Sequence, residues 1–255
     1  MIVRKSHDEI ETMARAGRVV AETLALMGDT IRPGVSTREL DELAEELIRS
    51  RGGVPTFKGY RGFPAAICAS PNAMVVHGIP GDYRVADGDL LTVDVGVTLD
   101  GFVADSAYTF AVGDVGEEAE RLLATCRAAL AAGIAEARPG NHVGDISAAV
   151  QRTTEEAGFG IIRSLVGHGV GRSMHEEPQV PNHGQPGRGP KLQPGMTLAI
   201  EPMITAGAED VVVADDDWSI STSDGSLSAH FEHTVAVTDD GPRILTEAPV
   251  TSLVP

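Results

Sequence analysis

The chain contains two copies of one local pattern, and this repeat constrains its fold more than any other feature. Arg32-Pro33-Gly34 recurs as Arg138-Pro139-Gly140, and each copy lies between two stretches with helical periodicity. The predicted helices cover residues 6–28, 37–50, 116–137 and 144–157. Turn and strand signals follow each helix pair. We therefore predict an α+β fold in one domain, 1–255, whose pseudo-symmetric halves (6–110 and 116–245) flank a central antiparallel sheet.

Acidic residues occupy equivalent places in the two halves. Gly88 precedes Asp94 by six positions, and Gly195 precedes Glu201 by six positions. Both acids lie in apolar, strand-like runs. The repeat thus places Asp94 and Glu201 at corresponding points of two sheets, where ligands from both halves can converge.

Two further acids, Asp105 and Glu232, also lie in strand-like sequence. Carboxylates are depleted from strands and are rarely buried without a partner, so four of them require a compensating positive charge. Together with His168, the four carboxylates suit a pair of divalent cations of the Mn, Fe, Co or Zn type.

Asp100-Gly101 is a strong hairpin turn signal between the first two acids. A two-residue loop there places Asp94 opposite Ala107 and makes Asp105 its diagonal neighbour on the same face of the sheet. The flanking residues Val93, Val95, Val103 and Ala104 favour burial of this hairpin, because we expect alternation to place both acids opposite this apolar set.

Each acid also has an ordinary structural interpretation. Asp94 and Asp105 are compatible with an exposed edge hairpin, Glu201 with a strand end before Pro202, and Glu232 with a local ion pair. For any one of them alone, these interpretations stay open. The repeat favours the cation site, because it relates the acids of the two halves.

Charge and composition limit the partners and the compartment. The formal charge of −17 disfavours direct nucleic-acid binding. We find no apolar stretch of 18 residues and no apolar core near the first residues, so we expect neither a membrane span nor a signal peptide. The two cysteines, Cys68 and Cys126, are typical of a reducing compartment, and we expect a cytoplasmic protein.

Specific motifs give the chain a resemblance to a known family. They run in order along nearly the whole sequence: His77-Gly-Ile-Pro80, Val93-Asp-Val-Gly96, Gly101-Phe-Val-Ala-Asp105, Gly167-His-Gly-Val-Gly171, His175-Glu-Glu-Pro178, Pro194-Gly-Met196, Ile200-Glu-Pro202 and Ser226-Leu-Ser-Ala-His-Phe-Glu-His-Thr234. The chain resembles the type I methionine aminopeptidases, which have the pita-bread fold. The resemblance implies a metal-dependent hydrolase that removes N-terminal methionine from new polypeptides when the second residue is small.

The resemblance also implies roles for the five ligands. Asp94 binds one cation, His168 and Glu201 bind the other, and Asp105 and Glu232 bridge the two. A bridging water or hydroxide attacks the first peptide bond. Glu201 also moves the proton from this water to the leaving amine.

Two histidines outside the ligand set match substrate-contacting positions of the family. These are His77 and His175, and the resemblance implies that His175 stabilises charge at the scissile amide. We assign no role to His7, His142, His183 and His230, and we interpret His233 as a structural residue on the opposite sheet face.

The resemblance implies a pocket for the methionine side chain, formed by Tyr60, Phe63, Cys68, His77, Met174 and Trp218. Core packing is the alternative for these residues. Met174 and Phe57 differ from residues often found in the family, which bears on the size of the pocket. The family further implies one Na or K ion held near Asn72, Met74 and Ser228.

Three alternatives to this function were weighed. Proline-specific relatives share the five ligands but usually carry a large N-terminal domain, and here the first predicted helix begins at residue 6. Type II enzymes carry a helical insertion for which the stretch between Glu201 and Glu232 is too short. An inactive binding module would be expected to lose ligands.

We expect nascent polypeptide N-termini as substrates, at most transient ribosome contact, and a monomer.

Overall fold

The computed structural model describes residues 1–247. Four helices form two pairs, and their bounds are α1 (His7–Thr30), α2 (Thr37–Ser50), α3 (Gly116–Glu136) and α4 (Val143–Glu156). Ser6 begins α1 with a capping box completed by Glu9, which satisfies two backbone N–H groups at the helix start. All four predicted helices are therefore present, with ends shifted by a few residues.

Within residues 1–247 the remaining elements are short strands and a single 3-10 helix, Tyr60–Gly62. The strands are β1 (Val54–Pro55), β2 (Cys68–Pro71), β3 (Met74–Val76), β4 (Leu90–Leu99), β5 (Phe102–Ala111), β6 (Gly160–Ile161), β7 (Val166–Gly169), β8 (Glu176–Pro181), β9 (Thr197–Ile200), β10 (Met203–Thr205), β11 (Val211–Val213), β12 (Ile220–Thr222), β13 (Ser228–His230), β14 (His233–Thr238) and β15 (Gly241–Ile244). Every strand pairing is antiparallel.

The predicted hairpin is formed by β4 and β5. Asp100 and Gly101 make its two-residue turn, with left-handed φ values of 50° and 79°. Such a turn matches the twist of the two strands. Asp94 lies opposite Ala107 and Asp105 lies opposite Gly96, as the sequence predicts.

The flanking apolar residues of this hairpin pack on both of its faces. Val93, Val95 and Ala104 join the core beneath α1 and α2. From the sequence, Val103 is expected on the same face as these three residues. In the structure, Val103 instead packs with Cys68 in a different hydrophobic cluster. The reason is strand alternation, since Val103 and Asp105 are two residues apart and point to the same side.

The second half supplies a five-stranded sheet in the order β15-β14-β9-β7-β8. It meets the β4–β5 hairpin along β5 and β14, and hydroxyl side chains span this junction. The Thr234 hydroxyl accepts from the Asp105 N–H at 2.9 Å and donates to the Asp105 carbonyl at 2.8 Å. The backbone N–H of Glu232 donates to the carbonyl of Ala107 at 3.0 Å. These bonds fix the positions of two acids from different halves.

The order of a helix pair followed by strands occurs twice along the chain. The pseudo-two-fold axis and the single domain 1–255 stay predictions. Within residues 1–247, no helix has both the length and the apolar character needed to cross a bilayer.

Candidate active site

A cavity of about 300 Å³ lies beside the junction of the two sheets. It gathers residues that are far apart in the sequence. Its lining includes every residue predicted as a divalent-cation ligand or as part of the substrate pocket: Tyr60, Phe63, Cys68, His77, Asp94, Asp105, His168, Met174, His175, Glu201, Trp218 and Glu232.

Strand geometry positions the acidic residues. Asp94 and Asp105 lie within β4 and β5, Glu201 follows β9, and Glu232 lies between β13 and β14. Because adjacent strands are about 4.7–4.9 Å apart, side chains on one face of neighbouring strands can share an ion. Ligand atoms of Asp105, His168 and Glu232 all lie within 4.8 Å of one another.

His168 approaches two of the acids directly. Its Nε2 atom is 3.5 Å from Oε1 of Glu201 and 3.8 Å from Oδ2 of Asp105. Its Nδ1 atom lies 2.9 Å from the carbonyl of Gly169, which favours a proton on Nδ1 and leaves Nε2 free to bind a cation. The pKa of His168 is lowered to about 4, mainly by burial and to a smaller extent by the repulsion that a protonated His175 would exert. The imidazole of His168 is therefore neutral.

Burial raises the pKa of every acid in the cluster, and repulsion from neighbouring acids adds to the rise at Asp105, Glu201 and Glu232. Burial raises the pKa of Asp94 to about 7, against an opposing hydrogen bond with Asp105. Burial raises the pKa of Asp105 well above its usual range, and the charges of Glu232 and Asp94 add to this rise. Burial likewise raises the pKa of Glu201 and of Glu232, and neighbouring acids add to both.

The donor set fits divalent cations. Three buried carboxylate oxygens have no hydrogen-bond partner within residues 1–247: Asp94 Oδ1, Asp105 Oδ1 and Glu232 Oε1. Buried carboxylates without partners are strongly unfavourable unless they are protonated or bind a cation. Four carboxylates and one imidazole are a ligand set that Mn, Fe, Co and Zn accept.

His175 stands beside this cluster at the cavity. Its ring centroid is 4.3 Å from that of His168. The Tyr60 hydroxyl lies 2.9 Å from Nδ1 of His175, and the two rings stack. Burial, together with the positive charge of Arg61, lowers the pKa of His175. Tyr60 therefore orients a neutral imidazole whose Nε2 atom remains available.

Aromatic and sulfur-containing side chains form the rest of the lining. The ring of Trp218 is 5.1 Å from that of Phe63 and 6.1 Å from that of His77, in edge-to-face arrangements. Met174 and Cys68 are buried in the hydrophobic cluster that contains Phe63. Burial raises the pKa of the Cys68 thiol well above its usual range, so the thiol is neutral. The structure thus joins an apolar compartment to the acidic cluster.

Comparison with known proteins places the chain in a family. A model of metallopeptidase family M24 matches residues 11–239. The chain belongs to metallopeptidase family M24. Among similar M24 proteins, a methionine aminopeptidase from Clostridium perfringens is 50% identical over 96% of this chain and 99% of its own length. Methionine aminopeptidase 1 of Bacillus subtilis is 46% identical, with the same two coverages. The resemblance drawn from the motifs is therefore confirmed.

Solved M24 structures confirm the α+β pita-bread fold. The methionine aminopeptidase of Rickettsia prowazekii superposes with a TM-score of 0.95 at 40% identity, covering 97% of this chain and 100% of that one. The prolidase of Pyrococcus furiosus superposes with a TM-score of 0.78 at 22% identity, and the match covers 97% of this chain and 66% of that one. The likeness to this prolidase is one of fold.

The three residues predicted to hold a monovalent ion also lie together in this M24 chain. The Ser228 hydroxyl is 3.1 Å from the carbonyl oxygen of Asn72 and 3.3 Å from that of Met74. Asn72 has a left-handed φ of 57°. Two carbonyl oxygens and a hydroxyl therefore converge at one point.

Sequence reasoning missed His230, to which it assigned no role. His230 is buried, and its Nε2 atom lies 3.7 Å from Oε2 of Glu201 and 3.9 Å from Oε2 of Glu232. The signal was present in the sequence, because His230 is two residues before Glu232 and strand alternation places such pairs on one face. His233 lies on the other face, where its Nδ1 atom is 2.9 Å from the Thr246 hydroxyl.

Two acids, Glu176 and Glu177, directly follow His175 in the sequence. Glu176 forms an ion pair with buried Lys5 at 2.6 Å and accepts from the backbone N–H groups of Arg172 and Ser173. Glu177 is exposed. Glu176 therefore organises the loop that precedes it, whereas Glu177 has no comparable contact within the described residues.

Proposed function

We propose that the protein removes the N-terminal methionine of newly made polypeptides whose second residue is small. The observation that carries this proposal is the cavity in which unpartnered buried carboxylates adjoin an apolar compartment. The acids suit a cation pair that acts on a peptide bond. The apolar compartment suits one thioether side chain.

The five ligands divide between two divalent cations in this proposal. Asp94 would hold one, His168 and Glu201 would hold the other, and Asp105 and Glu232 would contribute ligands to both. When bound, the cations supply Lewis acidity and lower the pKa of the water that attacks the first peptide bond. Mn, Fe, Co and Zn all suit these donors.

Three side chains act on the substrate. His175 donates a hydrogen bond from Nε2 to the scissile amide, while its Nδ1 atom stays bonded to the Tyr60 hydroxyl. His77 contacts the same peptide group from the Trp218 side of the cavity. Glu201 accepts a proton at a carboxylate oxygen and transfers it to the leaving amine.

The pocket explains the choice of substrate. Tyr60, Phe63, Cys68, Met174 and Trp218 enclose the unbranched side chain of methionine, and a flexible Met174 adapts to it through sulfur contacts. A bulky second residue collides with the rim and displaces the scissile bond, and such misplacement costs about 10²-fold in rate.

The remaining features of the proposal concern the setting of the reaction. The protein acts in the cytoplasm as a monomer, meets nascent chains with at most transient ribosome contact, and binds neither nucleic acid nor membrane. One Na or K ion near Asn72, Met74 and Ser228 stabilises the segment that joins β2 to β3.

A peptide panel tests the proposal. Purified protein loaded with Mn²⁺ or Co²⁺ is given Met-Ala, Met-Gly, Met-Ser, Met-Leu and Met-Lys peptides, an N-formyl-Met-Ala peptide and an X-Pro series, and products are followed by mass spectrometry. We expect cleavage of the first three alone. A chelated sample and a Glu201→Gln variant serve as controls. Release of residues ahead of proline with Met-Ala intact would support the proline-specific alternative instead.

A further inference from the structure

His230 is a buried imidazole whose environment is incomplete. Its side chain lies on β13 and the residue is 1% exposed. The Thr109 hydroxyl accepts a hydrogen bond from the His230 N–H at 2.9 Å and donates one to the His230 carbonyl at 2.8 Å. Neither ring nitrogen has a hydrogen-bond partner within residues 1–247. A buried N–H without a partner is destabilising, so a partner is expected in the working protein.

Two carboxylates of the acidic cluster lie close to this ring. The Glu201 carboxylate lies between two imidazoles, with His168 Nε2 at 3.5 Å from Oε1 and His230 Nε2 at 3.7 Å from Oε2. His230 Nε2 is also 3.9 Å from Oε2 of Glu232. These separations exceed a hydrogen bond, which needs about 2.7–3.2 Å. A hydrogen bond to either carboxylate therefore requires a shift of about half an ångström or more from these positions.

His168 and His230 differ in the hydrogen bonding of the Nδ1 atom. Nδ1 of His168 lies 2.9 Å from the Gly169 carbonyl, which places its proton there. Histidines that bind metals almost always donate their other N–H in this way. Nδ1 of His230 has no such acceptor among the described residues. A proton on Nε2 of His230 leaves only an acceptor unsatisfied, whereas a proton on Nδ1 leaves a buried donor unsatisfied.

We propose that His230 is a positioning residue whose Nε2–H donates to the carboxylates of Glu201 and Glu232 and orients them for cation binding. The inference rests on the cation pair of the proposed function. A neutral donor satisfies the oxygens of ligands that already carry negative charge, and it adds no further negative charge to the cluster. The same contact holds Glu201 in place while that carboxylate moves a proton.

Nuclear magnetic resonance of the unmodified protein tests the position of the proton. Protein with ¹⁵N-labelled histidine is loaded with Zn²⁺, and the His230 signals are assigned as those missing from His230→Gln. We expect a neutral ring with its proton on Nε2, slow to exchange with solvent. A ring protonated on Nδ1 with Nε2 bound to Zn²⁺ would make His230 a sixth ligand and overturn the proposal.

Calorimetric titration with Zn²⁺ and Mn²⁺ tests the effect on the ligands. His230→Leu removes the donor and should weaken binding by about 10–100-fold. His230→Gln keeps an N–H donor and should bind within about threefold of the wild type. His233→Leu is the matched control, since His233 is a neighbouring histidine on the opposite face, and it should bind like the wild type.

The outcomes separate this inference from the proposed function. Wild-type protein that binds no divalent cation would overturn both. Normal binding by the wild type with unchanged affinity in His230→Leu would overturn only the role of His230, as would a His230→Gln protein as weak as His230→Leu. If His230→Leu does not fold, the proton position in the wild type and the affinity of His230→Gln decide the matter.

Discussion

At the scale of single residues, Asp105 and Glu232 are the most constrained members of the acidic cluster. Each is only 2% exposed, and each has one oxygen without a partner within the described residues. Their charges also raise the pKa values of neighbouring acids. A residue in such a place is tolerated because a cation offsets its charge.

The proposed bridging roles predict an order of metal loss. Asp105→Asn and Glu232→Gln each remove a ligand shared by two cations and should weaken binding by about 10²-fold or more, because other buried acids then lack compensation. His168→Gln should lose less. Calorimetry with Mn²⁺ measures the affinities, and the bridging assignment is wrong if either acid variant keeps both cations at wild-type affinity.

The contact between Tyr60 and His175 predicts a graded effect on rate. His175→Ala removes the proposed donor to the scissile amide and should lower kcat by about 10²-fold or more. Tyr60→Phe leaves the imidazole in place but removes its hydrogen bond, so its loss should be smaller. Metal content should stay at the wild-type level in both proteins. An unchanged kcat, or a His175→Ala protein purified without metal, would contradict the role of His175.

At the scale of elements, the junction of β5 and β14 decides where the acids meet. Thr234 makes two hydrogen bonds to the backbone of Asp105, and the hydroxyl of Ser106 donates to the carbonyl of Glu232. These contacts join chain segments that are far apart in sequence. The relative position of the two acids therefore depends on hydroxyl side chains that bind no cation themselves.

A substitution at this junction should affect stability and metal binding together. Thr234→Val keeps the shape of the side chain but leaves the buried N–H of Asp105 without its partner, which costs about 1–3 kcal/mol of unfolding free energy. It should also weaken Mn²⁺ binding, because Asp105 moves. Thr238→Val is the matched control on the same strand, since its hydroxyl bonds only the nearby Gly241 carbonyl. Urea unfolding and calorimetry give both quantities; equal affinity in the two variants would count against this role.

Local signals in the sequence predicted the four helices and the β4–β5 hairpin but not the junction of β5 and β14. Helix periodicity and the Asp100-Gly101 turn act over a few residues, so the helices and the β4–β5 register followed directly. The pairing of Thr234 with Asp105 depends on tertiary packing, which no local pattern encodes. The position of His230 beside Glu232 is a different case, because strand alternation over two residues already predicts that the two side chains share a face.

At the scale of the whole molecule, the fold encloses four acids in a chain that already carries a net charge of −17. The cavity lies beside the junction, and the helix pairs and sheets around it are held by separate hydrophobic clusters. The metal-free protein therefore maintains an unfavourable cluster at the expense of its own stability, and cations offset that cost.

This cost should appear as a pH dependence of the metal-free protein. Burial raises the pKa of Asp94 from 3.8 to about 7 and raises those of Asp105, Glu201 and Glu232 well above their usual range. Between the unfolded and folded pKa values the folded state binds more protons, so unfolding free energy falls as pH rises through about 4 to 7 and beyond. We expect the melting temperature of chelator-treated protein to fall between pH 5 and pH 8.

Two controls isolate the acidic cluster from the general surface charge. High salt screens repulsion between exposed carboxylates but leaves the buried cluster nearly unaffected, so the decline should persist in 0.5 M NaCl, where the Debye length is only about 4 Å. Protein saturated with Mn²⁺ should lack most of the decline, because bound cations keep the four carboxylates ionised at lower pH. A metal-free melting temperature that is flat or rising from pH 5 to pH 8 would show that these acids do not hold protons in the folded state.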